Sequence, residues 1–282
     1  MAADQSERPI GVFDSGIGGL SILRALRQQM PEEPIVYFGD QLHIPYGSRS
    51  LRQVRDFSEA ITRFLLEKDA KLIVVACNTA SAAALKDLRR IFPDIEFVGM
   101  EPAVKPAAEQ TKTGVVGVLA TPATFQGALY ASVVERFAGG VELLKDTCPG
   151  LVQQIEAGDL DGTSTRKILE KALLPMLARG IDTVVLGCTH YPFVIGAIEE
   201  IVGKNVRVID PAPAVARQAG RLLDRNGDRR PAGGPGPMQF FTSADSGPMR
   251  SLLPVLLGEG GPVKTLYWEA DTSLKEPLLS GD

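Results

Sequence analysis

Short apolar runs, each closed by a turn residue and followed by a helical pattern, recur along the chain. They are IGVFD (10–14), PIVYF (34–38), LIVVA (72–76), IEFVG (95–99), GVVGVLA (114–120), TVVLG (183–187) and VRVID (206–210). A strand that is apolar at every position is buried on both faces, so this alternation predicts an α/β fold of mostly parallel sheets flanked by helices. Between the runs, Leu51, Val54, Phe57, Ile61, Phe64 and Leu65 recur at three- and four-residue spacing with charges between them, predicting a helix over 51–66 with Ser50 as its N-cap. Residues 225–237, RNGDRRPAGGPGP, read as a loop. MQFFTS and a helix over 247–257 follow, and residues past Trp268 read as a frayed tail.

The two halves of the chain echo each other. Cys188 follows Cys77 by 111 positions (188 − 77), and the same shift carries FVGMEPAV at 97 onto VIDPAPAV at 208. A slightly shorter shift brings IGVFDS (10–15) near VGVLAT (116–121), with Ser15 opposite Thr121. Three matches in one order suggest two similar α/β units.

Composition narrows the picture further. A hydrophobic fraction of 44% over 282 residues can fill one large core or two ordinary ones. With 30 basic against 34 acidic residues and a net charge of −4, neither nucleic acid nor an anionic membrane is expected as the main partner. The polar start MAADQSERPIG lacks the pattern of a secretory signal, and no stretch reaches the roughly 18 uninterrupted apolar residues of a membrane span. A cytoplasmic protein is expected. Three cysteines, Cys77, Cys148 and Cys188, are too few for a disulfide framework, so reactivity or packing must account for them.

In an open α/β sheet ligands gather outside the carboxyl ends of the strands. Asp14 and Ser15, Cys77 with Asn78 and Thr79, Thr121, and Cys188 with Thr189 and His190 all fall at such ends, just before a predicted helix. A helix N-terminus offers free N–H groups and partial positive charge, which should lower the pKa of each thiol and attract an anionic substrate. Packing alone explains many free cysteines, and it suffices for Cys148 in DTCPGL. Two thiols at matching places in matching units, each flanked by threonine, ask for more.

Several readings compete. The glycines of FDSGIGGLS do not complete G-x-G-x-x-G, and no Lys-Ser/Thr ending makes a P-loop, so tight packing of the turn explains them better than a nucleotide. Cys77, Cys188 and His190 lack the closely spaced pairs of a zinc site, and C-x-x-C is missing, so no metal and no redox role is expected. A Cys188–His190 nucleophile of a hydrolase remains open but leaves Cys77 without a task. Inversion of a carbon stereocentre uses both thiols, because one base removes a proton from one face while an acid delivers another from the opposite face. With an ordinary pKa near 8.5, a cysteine can play either part.

FDSGIGGL, IPYGSRS, VVACNTASA, TCPGLVQQIEAG, VLGCTHYP and IDPA stand in the order found in the cofactor-independent glutamate racemases of bacterial cell-wall synthesis, and the chain resembles that family from residue 9 to about 258. FFTSAD followed by LLPVLLG resembles the family's C-terminal end. The resemblance implies two pseudo-symmetric α/β domains, residues 1–101 plus 211–282 and residues 102–210, with the active site between them. It implies no cofactor and glutamate as the substrate. Cys77 and Cys188 match the catalytic acid/base cysteines, Asp14 and His190 match residues that assist the nearer thiol, and Glu156 matches a carboxylate near the second. Asp14 and His190 also match substrate-binding positions, as do Ser15, Pro45, Tyr46, Gly47, Asn78, Thr79, Thr121 and Thr189.

Plainer roles stay open for the helpers: Asp14 and Thr189 as helix caps, His190 as a structural histidine, Glu156 as an exposed helix residue, and Tyr46 as loop packing. The lead before the first strand is about nine residues, shorter than in members activated by a cell-wall precursor, so such activation is not expected. A homodimer is compatible with the resemblance, with its interface open. Within the class an aspartate or broader amino-acid racemase is the alternative; outside it stand the single-cysteine hydrolase and a binding protein for small acids.

Overall fold

The computed structural model describes residues 5–269 and 273–275. Each apolar run becomes a strand, displaced from its expected bounds by no more than a residue at either end. β1 (Ile10–Asp14), β2 (Ile35–Gly39), β3 (Leu72–Val75) and β4 (Glu96–Gly99) join β9 (Met238–Thr242) and β10 (Val263–Thr265) in a six-stranded parallel sheet of order β10-β9-β2-β1-β3-β4. β5 (Val115–Ala120), β6 (Glu142–Asp146), β7 (Thr183–Gly187) and β8 (Arg207–Ile209) form a four-stranded parallel sheet of order β6-β5-β7-β8. The order β2-β1-β3-β4 is thus repeated as β6-β5-β7-β8, which gives the sequence echo its physical basis.

Both faces of both sheets are covered, as unbroken apolar strands require. Ile10 and Val12 of β1 point to one face and pack under α1 (Leu20–Gln29), α10 (Ala212–Asn226) and α11 (Ser246–Leu257). Phe13 points to the other, under α2 (Leu51–Glu67) and α3 (Asn78–Ile91). Each such fully buried side chain contributes about 1.5–3 kcal/mol. The helix expected over 51–66 is α2, and Ser50 caps it reciprocally: Ser50 Oγ accepts from Gln53 N at 3.3 Å and Gln53 Oε1 from Ser50 N at 3.2 Å.

The second sheet carries α7 (Leu151–Glu156), α8 (Thr163–Ala178) and α9 (Ile195–Val202) on one face, with α4 (Val104–Gln110) and α6 (Ala128–Phe137) on the other. The chain exchanges helices at the two crossings. α4 follows β4 of the first sheet yet packs Val104 and Ala107 against Val116, Val118 and Val185 of the second. α10 follows β8 of the second sheet yet packs Val215, Ala216 and Ala219 with Ile10, Val12 and Leu72 of the first.

Three expectations change. β6 (ELLKD) was not among the predicted strands: it is a half-exposed edge, and its charged Glu142, Lys145 and Asp146 hide the apolar signal. The loop expected over 225–237 starts later, because α10 runs through Asn226 and stops at Gly227, whose left-handed φ of 73° suits a C-cap. The tail past Trp268 is not frayed where it is described. β11 (Tyr267–Glu269) pairs antiparallel with β12 (Ser273–Lys275), and Trp268 and Leu274 pack against the cluster holding Phe57, Phe64 and Phe241. Residues 270–272 and 276–282 lie outside the described residues.

Candidate active site

The carboxyl ends of β1, β3, β5 and β7 converge on one small cavity. Ser15, Cys77, Asn78 and Thr79 line it from the first sheet, and Thr121, Cys188, Thr189 and His190 from the second. Pro45, Tyr46 and Gly47 wall it from the loop after β2. Asp14 and Glu156 do not line the cavity; they stand behind it, bonded to groups that do.

Cys77 is the N-cap of α3 and its Sγ accepts from Ala80 N at 3.4 Å, with Ser15 Oγ 4.0 Å away. A lowered pKa was expected there, and the structure reverses that. Burial pushes the Cys77 thiol well above the ordinary thiol range, and the charges of Asp14 and Cys188 add to it, while the Ala80 N–H and Ser15 only partly oppose them. Without a ligand, Cys77 is a thiol at neutral pH. Asp14 is wholly buried; its Oδ2 accepts from Gly19 N at 2.8 Å just before α1, and Thr189 Oγ1 approaches its Oδ1 at 3.4 Å. Burial raises the Asp14 pKa, with His190 and the Gly19 and Ser15 N–H groups pulling it back.

Cys188 follows β7, and its Sγ lies 3.8 Å from His190 Nδ1. On the far side of the ring His190 Nε2 meets Glu156 Oε1 at 2.7 Å. Burial alone would lower the His190 pKa, but its hydrogen bonds to Cys188 and Glu156 outweigh it and hold the imidazole well above its ordinary value. Glu156, the last residue of α7, also accepts from Ile17 N at 2.8 Å and from Gln41 Nε2 at 3.1 Å. It is therefore neither an exposed helix residue nor a bystander; it ties the second unit to the turn after β1.

That turn explains the glycines of FDSGIGG. A Cβ on Gly16 would sit 2.2 Å from Glu156 Oε1, and one on Gly18 2.4 Å from His190 Nδ1. The glycines make room for the other unit's carboxylate and imidazole. Gly16→Ala is accordingly expected to displace Glu156, lowering stability by about 1–3 kcal/mol and kcat by about tenfold. Gly139→Ala, where an added Cβ meets nothing within 4 Å, is the neutral control. Thermal melts and steady-state rates of the two variants check this.

Asn78 is buried, and neither its Nδ2 nor its Oδ1 has a hydrogen-bond partner among the described residues. Buried amides are normally satisfied, so one donor and one acceptor stand ready for a ligand. Thr79 Oγ1 and Thr121 Oγ1 meet at 3.0 Å across the two units, and Thr121 caps α5 (Pro122–Gln126) by accepting from Thr124 N at 3.3 Å. Two residues escaped the sequence reading: Val152, which lines the cavity, and Gln41, which braces Glu156. Val152 falls inside the TCPGLVQQIEAG motif but is an apolar residue without a chemical signal of its own, and Gln41 lies three residues before IPYGSRS. Cys148 packs among Leu151, Ile155 and Tyr191, away from the cavity lining.

Fold and cavity together define a class: α/β proteins of two matching units, with a small polar site where the strand ends of the two units meet. The chain belongs to the Asp/Glu/Hydantoin racemase family, whose model matches residues 19–219. Over 225 residues it is 52% identical to a glutamate racemase of Roseiflexus sp. (strain RS-1), covering 80% of this chain and 83% of that one. A solved glutamate racemase of Francisella tularensis subsp. tularensis SCHU S4, in complex with D-glutamate, is similar with a TM-score of 0.80 at 30% identity, over 92% of this chain and 97% of that one. The Escherichia coli glutamate racemase in complex with L-glutamate and the activator UDP-MurNAc-ala is similar with a TM-score of 0.78 at 34% identity, over 91% and 97%.

Proposed function

We infer that this protein is a glutamate racemase, a cofactor-independent isomerase that interconverts L- and D-glutamate and supplies the D-enantiomer for peptidoglycan. The observation that carries the reading is the pair Cys77 and Cys188, one from each matching unit, in the lining of a single small polar cavity. The name shared by its relatives and the two glutamate enantiomers bound in the similar solved structures support the same substrate.

The geometry supports the following roles. One cysteine, as thiolate, takes the α-proton; the other, as thiol, gives its proton to the opposite face, so the two end with protonation states exchanged. Removing the α-proton builds a second negative charge on the substrate carboxylate. The N-terminal N–H groups of α3, together with Asn78, Thr79 and Thr121, are placed to stabilise it. Asp14, expected to bind substrate directly, stands behind the lining and acts there on Cys77; Ser15, which lines the cavity, faces the ammonium, while Glu156 holds His190 as a proton store beside Cys188. Tyr46, Pro45 and Gly47 close one wall, and Thr189 joins the opposite one.

The domain division proposed is residues 1–101 plus 211–282 and residues 102–210, supported by the strand membership of the two sheets. Among the described residues no helix is long and apolar enough to cross a membrane, and a cytoplasmic location is proposed. Circular dichroism of L-glutamate solutions tests the function: the signal should decay to zero with enzyme. L-Aspartate should decay at least about tenfold more slowly, the order expected when a pocket discriminates one methylene. An undiminished glutamate signal refutes the reading.

A further inference from the structure

One buried cluster beside the cavity has no part in the proton transfers. Asp40, wholly buried just past β2, gathers side-chain donors from four places. Oδ1 accepts from Ser243 Oγ at 2.6 Å and from Trp268 Nε1 at 2.9 Å. Oδ2 accepts from Tyr46 OH at 2.6 Å and lies 2.9 Å from His43 Nδ1. The Asp40 N–H donates to the Asp14 carbonyl at 2.9 Å. Around this carboxylate the His43 ring stacks on Phe57, centroids 3.9 Å apart, and meets Trp268 edge-on at 5.1 Å.

A buried carboxylate demands donors, and those bound to it are held in fixed positions by charge-assisted hydrogen bonds. Here one of them, the Tyr46 hydroxyl, fixes a ring that walls the cavity between Pro45 and Gly47. Another comes from Trp268 in β11, 228 positions along the chain, whose ring also packs with Leu274 of β12 against the cluster holding Phe57 and Phe241. The same carboxylate thus links the β11–β12 strand pair to the loop that bounds the proposed substrate.

We propose that Trp268 is a positioning residue for substrate binding: through its N–H to Asp40, the paired strands β11 and β12 clasp the Pro45–Gly47 wall in the geometry that closes on glutamate. The inference rests on the reading of the cavity as the glutamate site. The thiols and the His190–Glu156 pair stand on other elements, so the clasp acts on binding rather than on proton transfer.

Trp268→Phe keeps a ring against His43 and Phe57 and deletes the N–H. Loss of that one bond is expected to raise KM for both enantiomers about 3- to 10-fold with kcat within about twofold. A merely structural role would lower the melting temperature and the active fraction and leave KM in place. The unaltered enzyme gives a second readout, because Trp268 is the chain's single tryptophan. Its emission should change on adding glutamate, half-saturating near KM, and stay constant with glycine. An unchanged KM in folded Trp268→Phe, or a constant emission at saturating glutamate, overturns the proposal; if the variant does not fold, the emission decides alone. Wild-type enzyme that racemises glutamate normally with either of those results condemns the clasp alone, whereas wild-type enzyme that does not racemise glutamate condemns the functional reading.

Discussion

Replacing Cys77 or Cys188 by alanine is expected to abolish racemisation in both directions, by at least about 10³-fold, within the range that positioned acid–base groups supply. The loss is two-directional because either deletion leaves one face of the α-carbon without a base and, for the reverse reaction, without an acid. The thiols sit at strand ends with Asn78, Thr79, Thr121 and Thr189 around the same cavity, so the groups proposed to bind the carboxylate survive either change. Glutamate affinity by calorimetry should stay within a few-fold. A hydrolase built on Cys188 and His190 predicts the opposite for Cys77→Ala, namely full activity, and an adduct on the intact protein during turnover.

The next largest effect is expected from Glu156→Gln. The amide keeps an oxygen for the Ile17 N–H but withdraws the negative charge 2.7 Å from His190 Nε2. Burial, which already pulls the imidazole down, is then opposed by Cys188 alone, so His190 holds its proton beside Cys188 less firmly. A fall in kcat of about 10- to 100-fold is expected, with little change in KM. The pH dependence has a definite sign. His190 titrates above its ordinary value in the folded protein, so its contribution to stability is complete below about pH 6.5 and fades as pH rises through the folded value. The stability gap between wild type and Glu156→Gln should therefore be widest near pH 5–6 and close in the alkaline range. Denaturant melts across that window check it; a gap that widens with pH contradicts the assignment.

Much of the architecture was legible because the strands are buried on both faces. β1, at Ile10–Asp14, coincides with its apolar run, and Ser50 behaves as the N-cap its position suggested. The echo between Cys77 and Cys188 is a repeat of strand order, visible in sequence because β3 and β7 hold the same place, between β1 and β4 in one sheet and between β5 and β8 in the other. What stayed hidden has physical reasons. β6 sets only two leucines between charged residues at a half-exposed edge, and three-residue strands such as β11 and β12 carry too little pattern to read. The glycines of FDSGIGG signalled a tight turn, but that Glu156 and His190 fill the space was invisible, since Glu156 follows Gly16 by 140 positions (156 − 16) and His190 follows Gly18 by 172 (190 − 18). The Cys77 thiol shows how local reasoning errs: the helix N-terminus is there, yet burial beside Asp14 outweighs it. Asp40 carried no motif at all, and only the converging donors reveal it.

The central claim is a two-sided proton transfer between Cys77 and Cys188, and isotope incorporation at early times in heavy water tests it most directly. Starting from L-glutamate, the enantiomers are separated before equilibrium and the α-position of each is read by mass spectrometry. Two opposed thiols predict D-glutamate that carries deuterium from its first appearance, beside residual L-glutamate that is still protiated, and the mirror result from D-glutamate. Product that keeps its original proton, or residual substrate that fills with deuterium as fast as product forms, would mean that one base serves both faces and would contradict the account.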